Sequence, residues 1–249
     1  MRSSFQPGFV LTELLIAGLL TTFLMLGIIQ MAAGVSRGLL LIESQSATHQ
    51  GGRFAIDQIR NTAMSAGFDP YPWDSDTQFP ALGENTRDGG AGGNDSLVVQ
   101  LRSDHNCYGN PNSTPGDDGR PAFFLRESTI EVTPAGNLAH TCWFGPDGTS
   151  MVRQINRQGL VQHVDSFQVL YAEDTDGDQH ANRLVRANGW HDANHIVGLE
   201  VGLLVASKQQ IGGEASAAIA VLDETITPQA DVRLRKTWTS SIPLFSRLR

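Results

Sequence analysis

The sequence has little of the positive charge that proteins use to bind nucleic acid. Only two of its 249 residues are lysine, its arginines are scattered, and its formal net charge is −8. Nucleic-acid-binding domains concentrate lysine and arginine on one face, because contacts to phosphates supply much of their affinity. We therefore expect no nucleic-acid partner.

The sequence also lacks the motifs of common catalytic sites. Gly89–Gly93 is rich in glycine, but it has neither the lysine nor the strand–helix context of a phosphate-binding loop. Gly34–Gly38 fits the pattern G-x-S-x-G, but it lies where a helix is predicted, whereas a nucleophile elbow needs a strand, a sharp turn and a helix. We expect that the protein is not an enzyme.

One arrangement keeps an enzymatic alternative open. His191-Asp192-Ala193-Asn194-His195 is similar to the zinc-binding pattern H-E-x-x-H, with aspartate in place of glutamate. The motif runs straight into an apolar segment that we interpret as a strand, so the helix that would align both histidines is not expected. The corresponding hypothesis is a membrane-anchored periplasmic metallohydrolase with His191 and His195 on zinc.

Charge and proline are both absent from long stretches near the N-terminus. The 23 residues from Leu14 to Ser36 carry no charge, and no proline occurs between Pro7 and Pro70. A membrane-spanning helix needs about 20 apolar residues. The pattern predicts one helix from about Phe9 to the mid-60s, with its first half in a membrane.

The second half of this helix has an amphipathic pattern. Ile56, Ile59, Ala63 and Ala66 fall on one face, which we expect to pack on a sheet, and Gly67 is a plausible C-cap. The region 69–95 is rich in turn-forming residues and reads as a long loop. Strands are predicted at 97–101, 123–126, 129–132, 138–144, 164–171, 196–206 and 233–244. Their spacing favours an antiparallel sheet, and hence an α+β fold.

The chain has two cysteines, Cys107 and Cys142. An even number behind a membrane anchor favours a disulfide in an oxidising compartment. The alternative is a pair of free buried thiols.

The segment from Asp174 to Asp178 is the best candidate for a metal site. Asp174, Asp176 and Asp178 alternate around a turn glycine and offer the hard oxygen ligands that Ca²⁺ prefers. The match to an EF-hand loop then ends, because Gln179 stands where the glycine would be and Val185 where the glutamate would be. Glu173 or Asn182, with the His180 carbonyl, would complete a shell. The alternative is an exposed acidic turn.

The carboxylate of Glu13 at the start of the apolar helix needs an explanation, because ionisable groups in membrane helices are costly. The apolar run is too long for a secretory signal peptide and lacks a clear cleavage site after it. An ordinary signal anchor fits the length but leaves Glu13 unexplained.

The run from Gly8 to Ala17 resembles the N-terminus of type IV pilins and pseudopilins. This resemblance implies cleavage after Gly8 by a prepilin peptidase, methylation of the new N-terminal Phe9, and retention of Glu13. Physically, a carboxylate in hydrocarbon requires a neighbouring cation or loses its charge. In a filament, the amine of a neighbouring subunit's Phe9 could approach Glu13 and set the axial register.

The downstream segments Gly52–Asp57, Ala66–Phe68, Val164–Tyr171, Val201–Ser207 and Trp238–Leu244 resemble the PilW family of type IV pilus minor pilins. The resemblance implies a pilin-like fold and a structural subunit that primes pilus assembly near the tip, with other minor and major pilins as partners. The alternative within the superfamily is a J-like pseudopilin of type II secretion.

The same resemblance implies the organisation of the chain. Residues 1–8 are expected to form the leader, 9–36 the transmembrane and filament-core helix, 37–68 its amphipathic continuation, and 69–249 a β-rich head. We expect a single-pass protein in contact with inner-membrane lipid, with a periplasmic head, that is later incorporated in a pilus.

Overall fold

The computed structural model of the chain describes residues 11–71, 79–116, 118–211 and 217–247. Within them, one helix, α1, extends from Leu11 to Met64. The chain divides into two compact units, one that ends at Glu43 and one that begins at Ser44.

The part of α1 in the first unit is apolar on all sides. Its large apolar side chains are exposed, including Leu14 at 62%, Phe23 at 66% and Ile29 at 61% of their surface. It is long and apolar enough to cross a membrane. A helix that is apolar all round requires a lipid or protein environment.

The part of α1 in the second unit buries one face. Ile56, Ile59 and Ala63 are buried in the main core, as is Ala66 just beyond the helix, so the predicted amphipathic face is confirmed. Gly67 has a φ of 72°, a left-handed conformation that glycine adopts without strain at the end of a helix. Its N–H donates to the Gln100 carbonyl, so the turn joins the helix end to the first strand.

The first sheet is a four-stranded antiparallel meander in the order β1-β2-β3-β4. Its strands are β1 Ser96–Ser103, β2 Phe124–Val132, β3 Leu138–Gly145 and β4 Val152–Val161. Apolar residues of β1, β2 and β3 face the main core, whereas β4 is largely exposed. The strand β4 therefore forms an edge of this sheet.

The second sheet is also antiparallel and has the order β10-β7-β5-β6. Its strands are β5 Val164–Glu173, β6 Arg183–Val185, β7 Ile196–Gln210 and β10 Arg233–Pro243. A short hairpin, β8 Ile219–Val221 and β9 Glu224–Ile226, packs on the Leu204 side of β7. Short 3-10 turns occupy Ala193–His195 and Phe245–Arg247.

The main core contains residues of both sheets and of α1. Phe167, Val169 and Tyr171 of β5 are buried in it, which confirms their predicted period-two alternation. Gln168, on the other face of β5, is also buried, because its amide donates to the Gly93 carbonyl and a loop covers it. The predicted α+β class, a long N-terminal helix with antiparallel sheets, is confirmed.

The strand predictions were correct in part. The segments 123–126 and 129–132 form one strand, β2, because Glu127 and Ser128 continue the pairing with β1 and β3. The short strands β6, β8 and β9 were not predicted, nor was β4. The sequence of β4 is polar because both of its faces are largely exposed, so no burial pattern marks it.

Several contacts hold α1 on β10, including a ring contact between His49 and Trp238. The backbone of Gly52 lies directly against the indole of Trp238, and Arg60 donates to the Ser240 hydroxyl over 2.6 Å. A Cβ atom on Gly52 would lie 2.1 Å from Trp238 Nε1, closer than any ordinary contact. The helix therefore approaches this strand only because residue 52 has no side chain.

Replacing Gly52 with alanine is expected to destabilise the folded unit by about 1–3 kcal/mol, the usual cost of overpacking. The matched control is Gly51→Ala, because a Cβ at Gly51 meets Val161 at an ordinary 3.4 Å. That change is expected to be neutral or to stabilise by up to about 1 kcal/mol, since alanine favours helix. Chemical unfolding of both variants measures the difference, and equal stabilities would contradict the close-packing argument.

Candidate functional sites

The predicted processing residues Gly8 and Phe9 lie outside the described residues. Glu13 lies in the first turn of α1, on an exposed part of the helix among apolar side chains. A carboxylate near a helix N-terminus interacts favourably with the helix dipole. Its predicted role in assembly stays a prediction.

The G-x-S-x-G pattern lies inside α1, as expected. Ser36 Oγ donates to the Ala32 carbonyl one turn earlier over 2.9 Å. Without a turn between a strand and a helix, this serine lacks the exposed geometry of a nucleophile elbow.

The predicted calcium segment forms the loop between β5 and β6. Asp174 organises it, because its carboxylate accepts hydrogen bonds from the backbone N–H groups of Asp176, Gly177 and Gln179 at 3.1, 2.7 and 2.8 Å. One carboxylate oxygen from each of Asp174, Asp176 and Asp178 lies within 4.8 Å of the others. The structure thus brings the three predicted oxygen ligands together.

The environment of Asp174 favours its charged form. Burial raises the pKa of this carboxyl group, but the three backbone hydrogen bonds outweigh burial and lower it below the ordinary value. The stability that these bonds contribute is present above the ordinary carboxyl pKa and is lost as pH falls through the lowered one. Gln179 has a φ of 70° and so takes the left-handed conformation for which an EF-hand uses glycine.

The residues proposed to complete a calcium shell are partly engaged elsewhere. Glu173 is buried, and its carboxylate binds the Arg183 guanidinium at 2.6 Å and accepts the His191 N–H at 2.7 Å. The side-chain oxygen of Asn182 accepts the Thr175 N–H at 2.6 Å. Asn182 therefore remains beside the loop carboxylates, whereas Glu173 has a structural role.

The H-D-A-N-H motif does not form an α-helix. Asp192 caps the three-residue 3-10 turn Ala193–His195 by accepting the Asn194 N–H, and His191 is exposed, with its Nδ1 2.8 Å from an Arg183 nitrogen. In the described part of the chain, the aspartates of the β5–β6 loop are the only trio of potential metal-ligating side chains. The described residues thus give no zinc-ligand arrangement around these histidines.

The two cysteines form a disulfide, with 35 residues of sequence separation, so the predicted bond is confirmed. It joins the long β1–β2 connection to β3. The same connection also binds β4, because Gln154 Oε1 accepts the Cys107 N–H at 2.9 Å and the Tyr108 hydroxyl donates to the Gln154 carbonyl.

A protein-family model matches the C-terminal part of the chain. Residues 147–246 match the PilW family, described as Type IV Pilus-assembly protein W. The PilW match begins just before β4 and covers the whole second sheet, including the Asp174 loop. It confirms the resemblance that the sequence motifs indicated, over these residues.

Among solved structures, the chain is similar to the type IV-like pilin TTHA1219 from Thermus thermophilus. The two share 15% sequence identity, with a TM-score of 0.45, over 83% of this chain and 97% of that one. No curated protein matches the chain.

Sequence reasoning missed the ion pairs that hold the loops in place. Arg186 binds Asp223 at 2.8 Å and Glu224 at 2.7 Å, and so joins the segment after β6 to the β8–β9 hairpin. These hydrogen bonds raise the pKa of Arg186. The partners are 37 and 38 residues from Arg186 in sequence, and no local pattern connects them.

Removing the disulfide is expected to lower the free energy of unfolding by about 4 kcal/mol, from the chain entropy of a loop of this length. The double change Cys107→Ala, Cys142→Ala should therefore melt at a lower temperature than the unreduced protein. The wild-type protein in reductant is the control, and its melting temperature should match that of the variant. An unchanged melting temperature in both would contradict this account.

Calcium is expected to raise the melting temperature of the full chain, with a dissociation constant of roughly 0.1–1 mM, typical of weak extracellular sites. Asp176→Asn with Asp178→Asn should abolish the response without disturbing the loop, because both side chains are exposed and Asp174 is retained. The matched control is Glu84→Gln, an exposed carboxylate outside the loop. If calcium leaves the melting curve unmoved, the loop is only an acidic turn.

Proposed function

We propose that this protein is a minor pilin of the type IV pilus, which assembles with other pilins near the tip. The observation that carries the proposal is the PilW match over the second sheet, in a chain that also has an apolar, exposed N-terminal helix. The role is structural, and catalysis forms no part of it.

The N-terminal helix supplies the physical basis of assembly. Its side chains from Leu11 to Ile42 require an apolar environment, which inner-membrane lipid provides before assembly and neighbouring pilin helices provide afterwards. In the core helix of a soluble protein, the apolar side chains are buried by the rest of the chain. The apolar side chains of this segment are exposed instead, so it does not fit that description.

Processing by a prepilin peptidase would complete the site around Glu13. Cleavage after Gly8 creates an amine at Phe9, four residues before Glu13. In hydrocarbon, a carboxylate and an amine from adjacent subunits attract strongly, whereas either charge alone is costly. Their pairing would fix the axial position of each subunit.

The disulfide supports a periplasmic head. Disulfides persist in the bacterial periplasm and are rare in the cytosol, where thiols are kept reduced. A head outside the cytoplasm also agrees with cleavage of the short leader on the cytoplasmic side.

Intact mass of the protein extracted from membranes is expected to show the loss of residues 1–8 and the gain of one methyl group. Glu13→Ala is expected to be processed and inserted but to enter sheared pili at least about tenfold less, because removing one partner of a buried ion pair costs about 3–5 kcal/mol. Thr12→Ala, which changes the adjacent position of the same helix, is the control and should assemble normally. Mature protein that retains its first eight residues would overturn the proposal.

A J-like pseudopilin of type II secretion is the second candidate, since the N-terminal features serve both systems. Deletion of the gene distinguishes them: loss of surface pili with normal secretion supports the pilus assignment, and the reverse result supports the pseudopilin. The metallohydrolase hypothesis has no support from the geometry of His191 and His195, and the zinc content of the purified protein tests it.

A further inference from the structure

A polar cleft of about 190 Å³ lies between α1 and the inner face of the first sheet. Asn61 and Thr62 line it from the helix, Arg126 and Ser128 from β2, and His140 from β3, beside the disulfide. The cleft lies outside residues 147–246, so the family match says nothing about it.

Arg126 differs from the partly buried arginines that bind carboxylates. Arg183, Arg186 and Arg235 each bind a carboxylate at 2.6–2.8 Å. Within the described residues, the guanidinium of Arg126 has no hydrogen-bond or ion-pair partner, and no carboxylate lines the cleft. The guanidinium nitrogens of Arg126 are not fully buried, but burial of the side chain lowers the pKa of Arg126 and so disfavours its unpaired charge.

His140 presents a second unsatisfied group in the same cleft. Its Nε2 atom is buried and has no hydrogen-bond partner in the described structure. Burial, together with the nearby charge of Arg126, lowers the pKa of His140. Both effects disfavour a second positive charge here unless an anion is present.

The neutral groups of the cleft are compatible with an anion. The side-chain amide of Asn61 and the buried hydroxyl of Ser128 are hydrogen-bond donors, and the disulfide is uncharged. A planar guanidinium binds oxyanions with two parallel hydrogen bonds, which makes arginine a preferred ligand for phosphate and carboxylate groups.

We propose that this cleft binds a small free oxyanion of the size of inorganic phosphate, held by Arg126 and His140. The anion neutralises the guanidinium and accepts the hydrogen bond that the imidazole Nε2 otherwise lacks. The site joins α1 to β2 and β3, so its occupation stabilises the attachment of the helix to the first sheet.

The cleft volume is several times the roughly 30 Å³ that a water molecule occupies in the liquid. Water alone could therefore fill it and satisfy His140, but water does not neutralise Arg126. A charged ligand therefore suits the cleft better than water, and the experiment distinguishes these two occupants.

The test is thermal unfolding of the full chain in detergent, with inorganic phosphate titrated at constant ionic strength. At ten times the dissociation constant, the melting temperature is expected to rise by about 3–5 °C, and above that concentration to keep rising with the logarithm of the phosphate concentration. Phosphate also stabilises proteins non-specifically, but that effect is common to all variants, so the part of the rise that the cleft variants lose measures binding at the site. The ³¹P signal should broaden in the presence of the wild-type protein.

Arg126→Gln is expected to remove this site-specific rise, and His140→Gln is expected to weaken it. Arg153→Gln is the matched control, because its guanidinium lies over the Trp143 ring, 5.4 Å from the centroid, outside the cleft. If Arg126→Gln does not fold, Arg126→Lys keeps the charge without the two-point geometry and should weaken binding at least about tenfold.

Phosphate itself changes charge near neutral pH, so the pH series uses sulfate, whose charge is constant there. Sulfate binding should tighten as pH falls, since the anion favours protonated His140, and Arg126 is the only other ionisable group that lines the cleft among the described residues. This pH dependence should be absent from the weaker binding of His140→Gln. A wild-type protein whose melting temperature rises no more with phosphate than that of Arg126→Gln would show that the cleft holds water only and would overturn the proposal.

Discussion

The packing of α1 on the two sheets is the interaction on which the folded unit depends. The sheets share no strand, and each is complete in its own antiparallel pairing. Ile56 and Ile59 belong to the one buried cluster that also contains Leu97 and Ile130 of the first sheet and Leu203 of the second. Without the helix, apolar surface on both sheets would lose its cover, at a cost of about 25 cal/mol for each Å² exposed.

The close approach of Gly52 to Trp238 shows that little space separates this helix from β10. Glycine is a poor helix former, so its presence in mid-helix is unfavourable by about 1 kcal/mol relative to alanine. Here the missing side chain allows Trp238 to cover the helix backbone. Glycine at position 52 lowers the helix propensity but permits the tertiary contact with Trp238. The folded structure explains why a poor helix former occupies this position.

Much of the fold could be predicted from the sequence, because a buried face of a helix or strand requires apolar residues at regular spacing. The face containing Ile56 and the alternation of Phe167, Val169 and Tyr171 were visible for this reason. Strand β4 has no periodic pattern of apolar residues, since neither of its faces is deeply buried. The continuity of β2 was hidden by Glu127, whose carboxylate accepts a hydrogen bond from Gln100 on the adjacent strand.

One candidate site could be predicted from the sequence and the other could not. The three aspartates of the β5–β6 loop are close in sequence, so their proximity in space followed from spacing alone. The cleft around Arg126 joins residues of one helix and two strands and has no sequence signature. The role of Glu173 as a calcium ligand stays a prediction, but its ion pair with Arg183 could not be foreseen, because Arg183 becomes adjacent only when β5 pairs with β6.

The polar edge strand β4 has a consequence for how chains can associate. An exposed sheet border offers unpaired backbone groups on which another chain can add a strand. The pairing of β3 with β4 is interrupted at three places, and Arg157 has a φ of 45°, so this border is irregular as well as charged. Strand-by-strand aggregation at this border is thereby disfavoured.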